Sequence, residues 1–237
     1  MQVHRIQEVT SGRVSQSANG LLHKKLAYSA TYLILLLILG IFVAFQFNYM
    51  SIDNANIALT ALVSLFLLSF PFSYMLKKGM KLSDIMDSLG LAKKHFTIGN
   101  ALLGIYLFII LLVLEIGVGV ISQITNTQIN TNVSGLFASA PIWFYLFLAI
   151  VGPIDEEVFF RGFLVPRLGI LISALLFGIL HAGYDSSFGI EIIAAFIFGL
   201  LAGYVFKRTK SLYPSIIAHV LVNSLTLLTT FLILVRI

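Results

Sequence analysis

The stretch AIVGPIDEEVFFR, residues 149–161, decides the architecture of this chain because it places charged side chains inside an apolar run. Asp155, Glu156 and Glu157 are consecutive, and Arg161 follows one helical turn later. A charge near the centre of a bilayer costs at least about 2.5–3.5 kcal/mol, so ionisable residues within a membrane helix indicate a functional site. The stretch therefore predicts a membrane helix that carries chemistry.

The composition points to an integral membrane protein. Of the 237 residues, 59% are hydrophobic and only 11% are charged, whereas about 25% are charged in a soluble domain. The chain has no cysteine, which excludes disulfides, thiolate metal sites and cysteine nucleophiles. The net charge of +5 belongs to loops beside a membrane, where it sets orientation, so we expect no nucleic-acid partner.

The apolar stretches predict an all-α fold, a polytopic membrane helix bundle. They lie at about 26–47, 55–76, 99–122, 141–165, 170–184, 188–206 and 213–235. Most reach the roughly 20 residues that cross a bilayer core, and the fifth is short. We therefore predict about seven transmembrane helices, within a range of six to eight. Residues 1–25 form a cytoplasmic tail, and residues 26–237 form a single membrane domain.

Basic residues alternate with the predicted helices and set the orientation. The connections at 48–54, 123–140 and 184–187 contain no Lys or Arg. By the positive-inside rule, the N-terminus is cytoplasmic and the C-terminus external. The basic residues of the cytoplasmic side are Lys24, Lys25, Lys77, Lys78, Lys81, Lys93, Lys94, Arg167, Lys207, Arg208 and Lys210.

The cytoplasmic connection 81–95 has apolar residues at helical spacing among lysines, including Leu82, Ile85 and Leu89. This pattern favours a short surface-lying helix. An ordinary connector is the alternative. The small residues at 199–203 indicate a helix-packing face.

Four polar residues on three predicted helices fall at one depth in the membrane: Glu156, His181, His219 and Asn223. With 1.5 Å per helical residue, the first three lie roughly 13–16 Å from the cytoplasmic ends of their helices, and Asn223 lies one turn deeper. Scattered structural polar residues would not share a level in this way. The agreement predicts a site assembled from several helices.

Spacing within the fourth helix divides the roles of its two glutamates. Glu157 and Arg161 are an i,i+4 pair whose side chains can meet on one face. Glu156 points about 100° away and is free to face other helices. Pro153 removes a backbone donor, so we expect a kink just before the acids. Asp155 is interpreted as an acid of the helix face near the site, without a catalytic role.

These residue types suit acid–base chemistry. A carboxylate with a nearby imidazole can take a proton from water, and an imidazole with a carboxamide can donate to an oxyanion. The structural alternatives are a packing role for each histidine, interhelical bonding by Asn223, and an ion pair at 157–161 that only fixes the fold. The role of Glu115, in the third helix, stays open.

Three motifs resemble those of the CPBP family of intramembrane proteases, also called the CAAX protease and bacteriocin-processing or Abi family, which includes type II CAAX prenyl proteases. The sequence has E-E-x-x-x-R at 156–161, F-x-x-x-H at 177–181 and H-x-x-x-N at 219–223. The resemblance covers about residues 141–228, the catalytic core of such a protein.

The resemblance implies an intramembrane endopeptidase that hydrolyses a peptide bond of a membrane-associated or lipidated substrate. It assigns Glu156 as the general base for water, with His181 positioning that water. His219 and Asn223 would stabilise the oxyanion, and the ion pair at 157–161 would support the site. A multi-pass protein of a prokaryotic cell membrane is expected.

The resemblance leaves the metal and the cellular role open. If zinc is present, Glu156, His181 and His219 would be its ligands, with an open water position. No H-E-x-x-H motif is present, and metal-independent catalysis is favoured, so no cofactor is expected. The main alternative function is a non-catalytic bacteriocin-immunity or interaction protein. A transporter is less favoured, because the chain shows no inverted repeat.

Overall fold

The computed structural model describes residues 52–125, 141–181 and 190–235. Every regular element within these ranges is helical, which agrees with the predicted all-α fold. The predicted tail, the first helix at 26–47 and most of the external loop at 123–140 lie outside the described residues. The count of seven helices and the cytoplasmic N-terminus therefore stay predictions.

The described helices follow the predicted apolar stretches closely. Their bounds are α1 Ile52–Lys77, α2 Leu82–Ser88, a 3-10 turn Lys93–His95, α3 Ile98–Thr125, α5 Val165–Leu180, α6 Ile190–Thr209 and α7 Tyr213–Val235. Between α3 and α5 lies α4, a helical rod with four segments, Ile142–Leu146, Phe147–Val151, Gly152–Glu156 and Glu157–Leu164. Four apolar segments are long enough to cross a membrane by length and composition, so this is an integral membrane protein.

The longest apolar segment, Trp143–Leu180, has 38 residues but does not form one straight helix. Gly169 breaks it with φ 83° and ψ 169°, a left-handed region in which a side chain would be strained. Ser173 Oγ donates to the Phe160 carbonyl at 2.7 Å, although 13 residues of straight helix would span about 20 Å. The part of α5 after Gly169 therefore folds back antiparallel along α4, as the separate fourth and fifth helices predicted.

Helices α5 and α6 pack at glycine contacts. A Cβ added to Gly199 would lie 2.9 Å from Ala174 Cα, and one added to Gly178 would lie 3.0 Å from the Ile192 carbonyl oxygen. The main chains therefore approach more closely than larger residues allow. The predicted packing face at 199–203 is confirmed.

The surface helix predicted in the 81–95 connection is present as α2. Its Ile85 and Leu89 are fully buried against the bundle, whereas Leu82 is 60% exposed. Asp87 lies 2.7 Å from Lys94 Nζ and 2.8 Å from His95 Nε2. Hydrogen bonds from these two side chains hold the pKa of Asp87 below its ordinary value.

Candidate active site

The helix that carries the acids changes its hydrogen-bond register before it reaches them. Phe147–Val151 is a π-helical segment, in which the Gly152 N–H donates to the Phe147 carbonyl, five residues back. In that register the Leu148 carbonyl would need a donor at residue 153, and Pro153 has no N–H. Asn223 Nδ2, from α7, donates to the Leu148 carbonyl at 3.3 Å. The carboxamide thus satisfies an acceptor that the proline leaves unpaired.

The predicted ion pair on α4 is present and deeply buried. Arg161 Nη1 lies 2.9 Å from Glu157 Oε1, and the two side chains are 1% and 0% exposed. The guanidinium also stacks over Phe177, 4.0 Å from the ring centroid, and over Phe198, at 4.7 Å. A planar cation between a carboxylate and aromatic rings is held in one position.

Glu157 has a second partner, which the sequence did not reveal. His219 Nδ1 lies 3.1 Å from Glu157 Oε1 in a buried hydrogen bond. Because an ionised carboxylate only accepts hydrogen bonds, Nδ1 carries the proton in this pair. The imidazole is thereby fixed with Nε2 towards Glu156, whose Oε2 lies 3.8 Å away. Glu157 therefore contacts both Arg161 and His219, whereas Glu156 faces the other nitrogen of the His219 ring, Nε2.

His181 is fixed by its own helix. Its Nδ1 lies 2.9 Å from the Phe177 carbonyl oxygen, one turn earlier. Since a carbonyl oxygen only accepts, this contact places the proton on Nδ1 and leaves Nε2 as the nitrogen that can accept. Phe177 supports both histidines, with ring centroids 4.5 Å from His181 and 6.0 Å from His219.

One cavity of about 480 Å³ brings the four predicted catalytic residues together. Glu156, His181, His219 and Asn223 all line it, as the shared depth predicted. Side chains of α1, α3 and α6 complete its wall, so helices of both halves of the described chain enclose it. The predicted supporting residues, Glu157 and Arg161, lie behind this wall and hold His219 in place.

Comparison with protein-family models finds a similarity over part of the chain. Residues 138–225 match the family described as type II CAAX prenyl endopeptidase Rce1-like. The match confirms the CAAX protease resemblance, and it contains all three motifs and all six predicted site residues. Comparisons with curated proteins and with solved structures gave no significant match.

Outside this prenyl endopeptidase-like segment, α1 also contributes to the site. Ser64 Oγ donates a hydrogen bond to Asp155 Oδ2. Asp155 is 1% exposed and lines the cavity, so it is a buried acid at the site and ties α4 to α1. The N-terminal helices showed no diagnostic motif in the sequence. Ser64 is one of several hydroxyl residues in the apolar stretch of α1, with Thr60, Ser69 and Ser73, so the sequence did not single it out.

Among the residues that the structure describes, no group of three or more His, Asp or Glu side chains could hold a metal ion. The proposed zinc set of Glu156, His181 and His219 shares the cavity wall without forming such a group. His219 Nδ1 bonds to Glu157, and the other ring nitrogen, Nε2, faces Glu156. The chemistry below is assigned to the protein's own groups.

Proposed function

We propose that this protein is an intramembrane endopeptidase that hydrolyses a peptide bond of a membrane-associated peptide or lipidated protein. One observation carries the proposal: a buried imidazole lies between two carboxylates at the wall of an intramembrane cavity. The prenyl endopeptidase match over residues 138–225 supports it. The expected location is a prokaryotic cell membrane.

Glu156 is the proposed general base. Its carboxylate takes a proton from water, and the resulting hydroxide attacks the carbonyl carbon of the substrate. His181 Nε2, the accepting nitrogen of that ring, can hold the second hydrogen of the same water. Glu156 is 17% exposed, unlike the fully buried Glu157. Of the two carboxylates, it is therefore the one that a water molecule can reach.

His219 is the proposed oxyanion donor. In the protonated ring, Nδ1–H donates to Glu157 and Nε2–H points towards the cavity beside Glu156. Its separation of 3.8 Å from Glu156 Oε2 is longer than a hydrogen bond, so Nε2–H can instead bind the substrate oxygen. Protonated His219 and Arg161 balance the charges of Glu156 and Glu157, which makes this form compatible with burial.

The reaction needs no reactant other than water and the peptide. The tetrahedral intermediate carries its negative charge on the former carbonyl oxygen, which His219 stabilises. Glu156 then returns its proton to the leaving nitrogen and the carbon–nitrogen bond breaks. The products are a carboxylic acid and an amine, and the acid passes its remaining proton to the amine on release. Asn223 positions α4 through the Leu148 carbonyl, which differs from the direct oxyanion contact that the motif implied.

The first test is the isosteric substitution Glu156→Gln in purified full-length protein. The probe is a farnesylated peptide ending in Cys-aliphatic-aliphatic-X, incorporated in phospholipid vesicles, with cleavage followed by mass spectrometry. We expect at least a 10²-fold loss of kcat, as for removal of a general base. Asp87→Asn is the matched control, because it removes a partly exposed carboxylate from the connection 81–95, away from the cavity. Full activity in Glu156→Gln would refute the assignment.

The same assay addresses the two alternatives. A zinc enzyme would lose activity with a chelator and regain it with Zn²⁺, whereas the mechanism above predicts chelator-insensitive cleavage. An immunity protein without catalytic activity would protect cells equally well with Gln at position 156.

A further inference from the structure

Glu115, on α3, lines the same cavity as Glu156 but is exposed to the surroundings of the bundle. It therefore lies at the mouth of the cavity and not at its buried wall. The ion pairs of the described residues use Asp87, Glu156 and Glu157 as their acids, and Glu115 is not part of any of them. A carboxylate in a membrane helix is costly without a partner. We therefore expect a cationic partner for Glu115.

The level of Glu115 follows from the packing of α3 on α7. Gly104 packs against Ile217 and the Pro214 carbonyl. Phe96, just before α3, packs against Tyr213, the first residue of α7, so the two helices begin side by side and run in the same direction. Counted from the Gly104 contact at 1.5 Å per residue, Glu115 lies roughly 16 Å and His219 roughly 5 Å along the shared direction. The two are therefore about 11 Å apart along α3 and α7, the length of about three residues of extended peptide.

The charged side chains that line the cavity are mainly acidic. Among the described residues that line it, the carboxylates are Glu115, Asp155 and Glu156, and the only other ionisable side chains are the two histidines. No described Lys or Arg lines it. Asp155 Oδ1 is buried and has no hydrogen-bond partner among the described residues, so the lining holds more acceptors than donors. Such a cavity favours a substrate that brings positive charge or N–H groups.

We propose that Glu115 is a specificity-determining residue that binds a cationic side chain, Lys or Arg, about three residues from the cleaved bond. The proposal rests on the endopeptidase function above and names its substrate class as membrane-associated peptides with a basic residue near the cleavage site. An extended chain held between His219 and Glu115 places such a side chain at the mouth of the cavity. There, the carboxylate forms a charge-assisted hydrogen bond with it.

The test uses farnesylated Cys-aliphatic-aliphatic-X peptides that differ at one position only. Lys, norleucine or Glu is placed at the second, third or fourth residue before the cleaved bond, or at the third residue after it, and norleucine keeps the methylene stem without the charge. In full-length wild-type protein, we expect kcat/KM for the Lys peptide to exceed that for the norleucine peptide about tenfold at one position, as for a charged hydrogen bond.

The variants separate recognition from structure. Glu115→Gln should bring the Lys to norleucine ratio to about one, Glu115→Asp should largely keep it, and Glu115→Lys should favour the Glu peptide. An equal ratio in wild-type protein and Glu115→Gln would overturn the proposal. Peptide binding to Glu156→Gln protein in lipid nanodiscs provides a readout that does not need turnover.

The binding experiment distinguishes two failures. Tighter binding of the Lys peptide without cleavage by the wild-type protein would support recognition by Glu115 and contradict the endopeptidase function. Equal dissociation constants for the Lys and norleucine peptides would overturn recognition by Glu115, whether or not the wild-type protein cleaves them.

Discussion

The bond between Asn223 and the Leu148 carbonyl predicts that the effect of Asn223 depends on Pro153. Replacing Asn223 by Ala leaves a half-buried carbonyl with no donor from its own helix, because the proline cannot supply one. An unsatisfied buried acceptor costs about 1–3 kcal/mol. We expect Asn223→Ala to lower the free energy of unfolding by about 1–2 kcal/mol, the lower part of this range, because the bond is long and partly exposed.

Pro153→Ala supplies the missing N–H. In the π-helical register, that N–H can donate to the Leu148 carbonyl, so Asn223→Ala should cost little in the Pro153→Ala background. The double-mutant cycle should therefore show a coupling of about 1 kcal/mol or more. The free energy of unfolding can be measured by steric trapping in micelles, and peptide cleavage can be measured on the same four proteins.

Activity decides between positioning and direct oxyanion contact. If Asn223 acts through α4, Pro153→Ala should restore most of the cleavage lost in Asn223→Ala. If the carboxamide donates to the oxyanion, its removal costs about 10²–10³-fold in kcat, whether or not residue 153 is proline. A full loss of kcat that persists in the double variant, with stability unchanged throughout, would refute the positioning role.

Three further predictions concern other parts of the fold. Arg161→Ala should lower the free energy of unfolding by about 3–5 kcal/mol because it removes the guanidinium that pairs with the buried Glu157 carboxylate. The double variant Glu157→Gln, Arg161→Met should lose less in the same assay, and equal losses would contradict this. Gly199→Ala should destabilise by about 1–3 kcal/mol through its contact with Ala174, whereas Gly117→Ala, which meets nothing within 4 Å, should be neutral or stabilising in thermal melts. Asp87→Asn should lower the melting temperature at pH 7. This difference should shrink as the pH falls below about 4 and vanish below the lowered pKa of Asp87, because a depressed carboxyl pKa stabilises fully above its unfolded value and not at all below its folded value. A difference that is independent of pH would exclude this cause.

Most of the described fold was predictable because a membrane limits the choice of structure. Apolar length located the helices, and the predicted last helix has the observed bounds of α7. The turn between α4 and α5 was expected from Arg167, and the structure places its break at Gly169. The π-helical segments were not predicted, because a change of hydrogen-bond register leaves no periodic signal in the residue types.

The sequence predicted how deep the site residues lie along their helices, but not the direction in which their side chains point. Counting residues placed Glu156, His181 and His219 at one level, and they share a cavity. The count gives no rotation about each helix axis, so the contact of His219 with Glu157 and the contact of Asn223 with α4 could not be foreseen. The bond between Ser64 and Asp155 joins helices 91 residues apart, and no local pattern announces such a pair.

The glycine contacts between α5 and α6 bear on how a substrate enters. The main chains of α5 and α6 lie very close together at Gly199 and Gly178. These two helices therefore cannot separate without losing their packing contacts, and we expect them to move together. A substrate that enters from the bilayer would therefore pass between other helices of the described bundle. Glu115 of α3, which also lines the cavity, lies outside this pair.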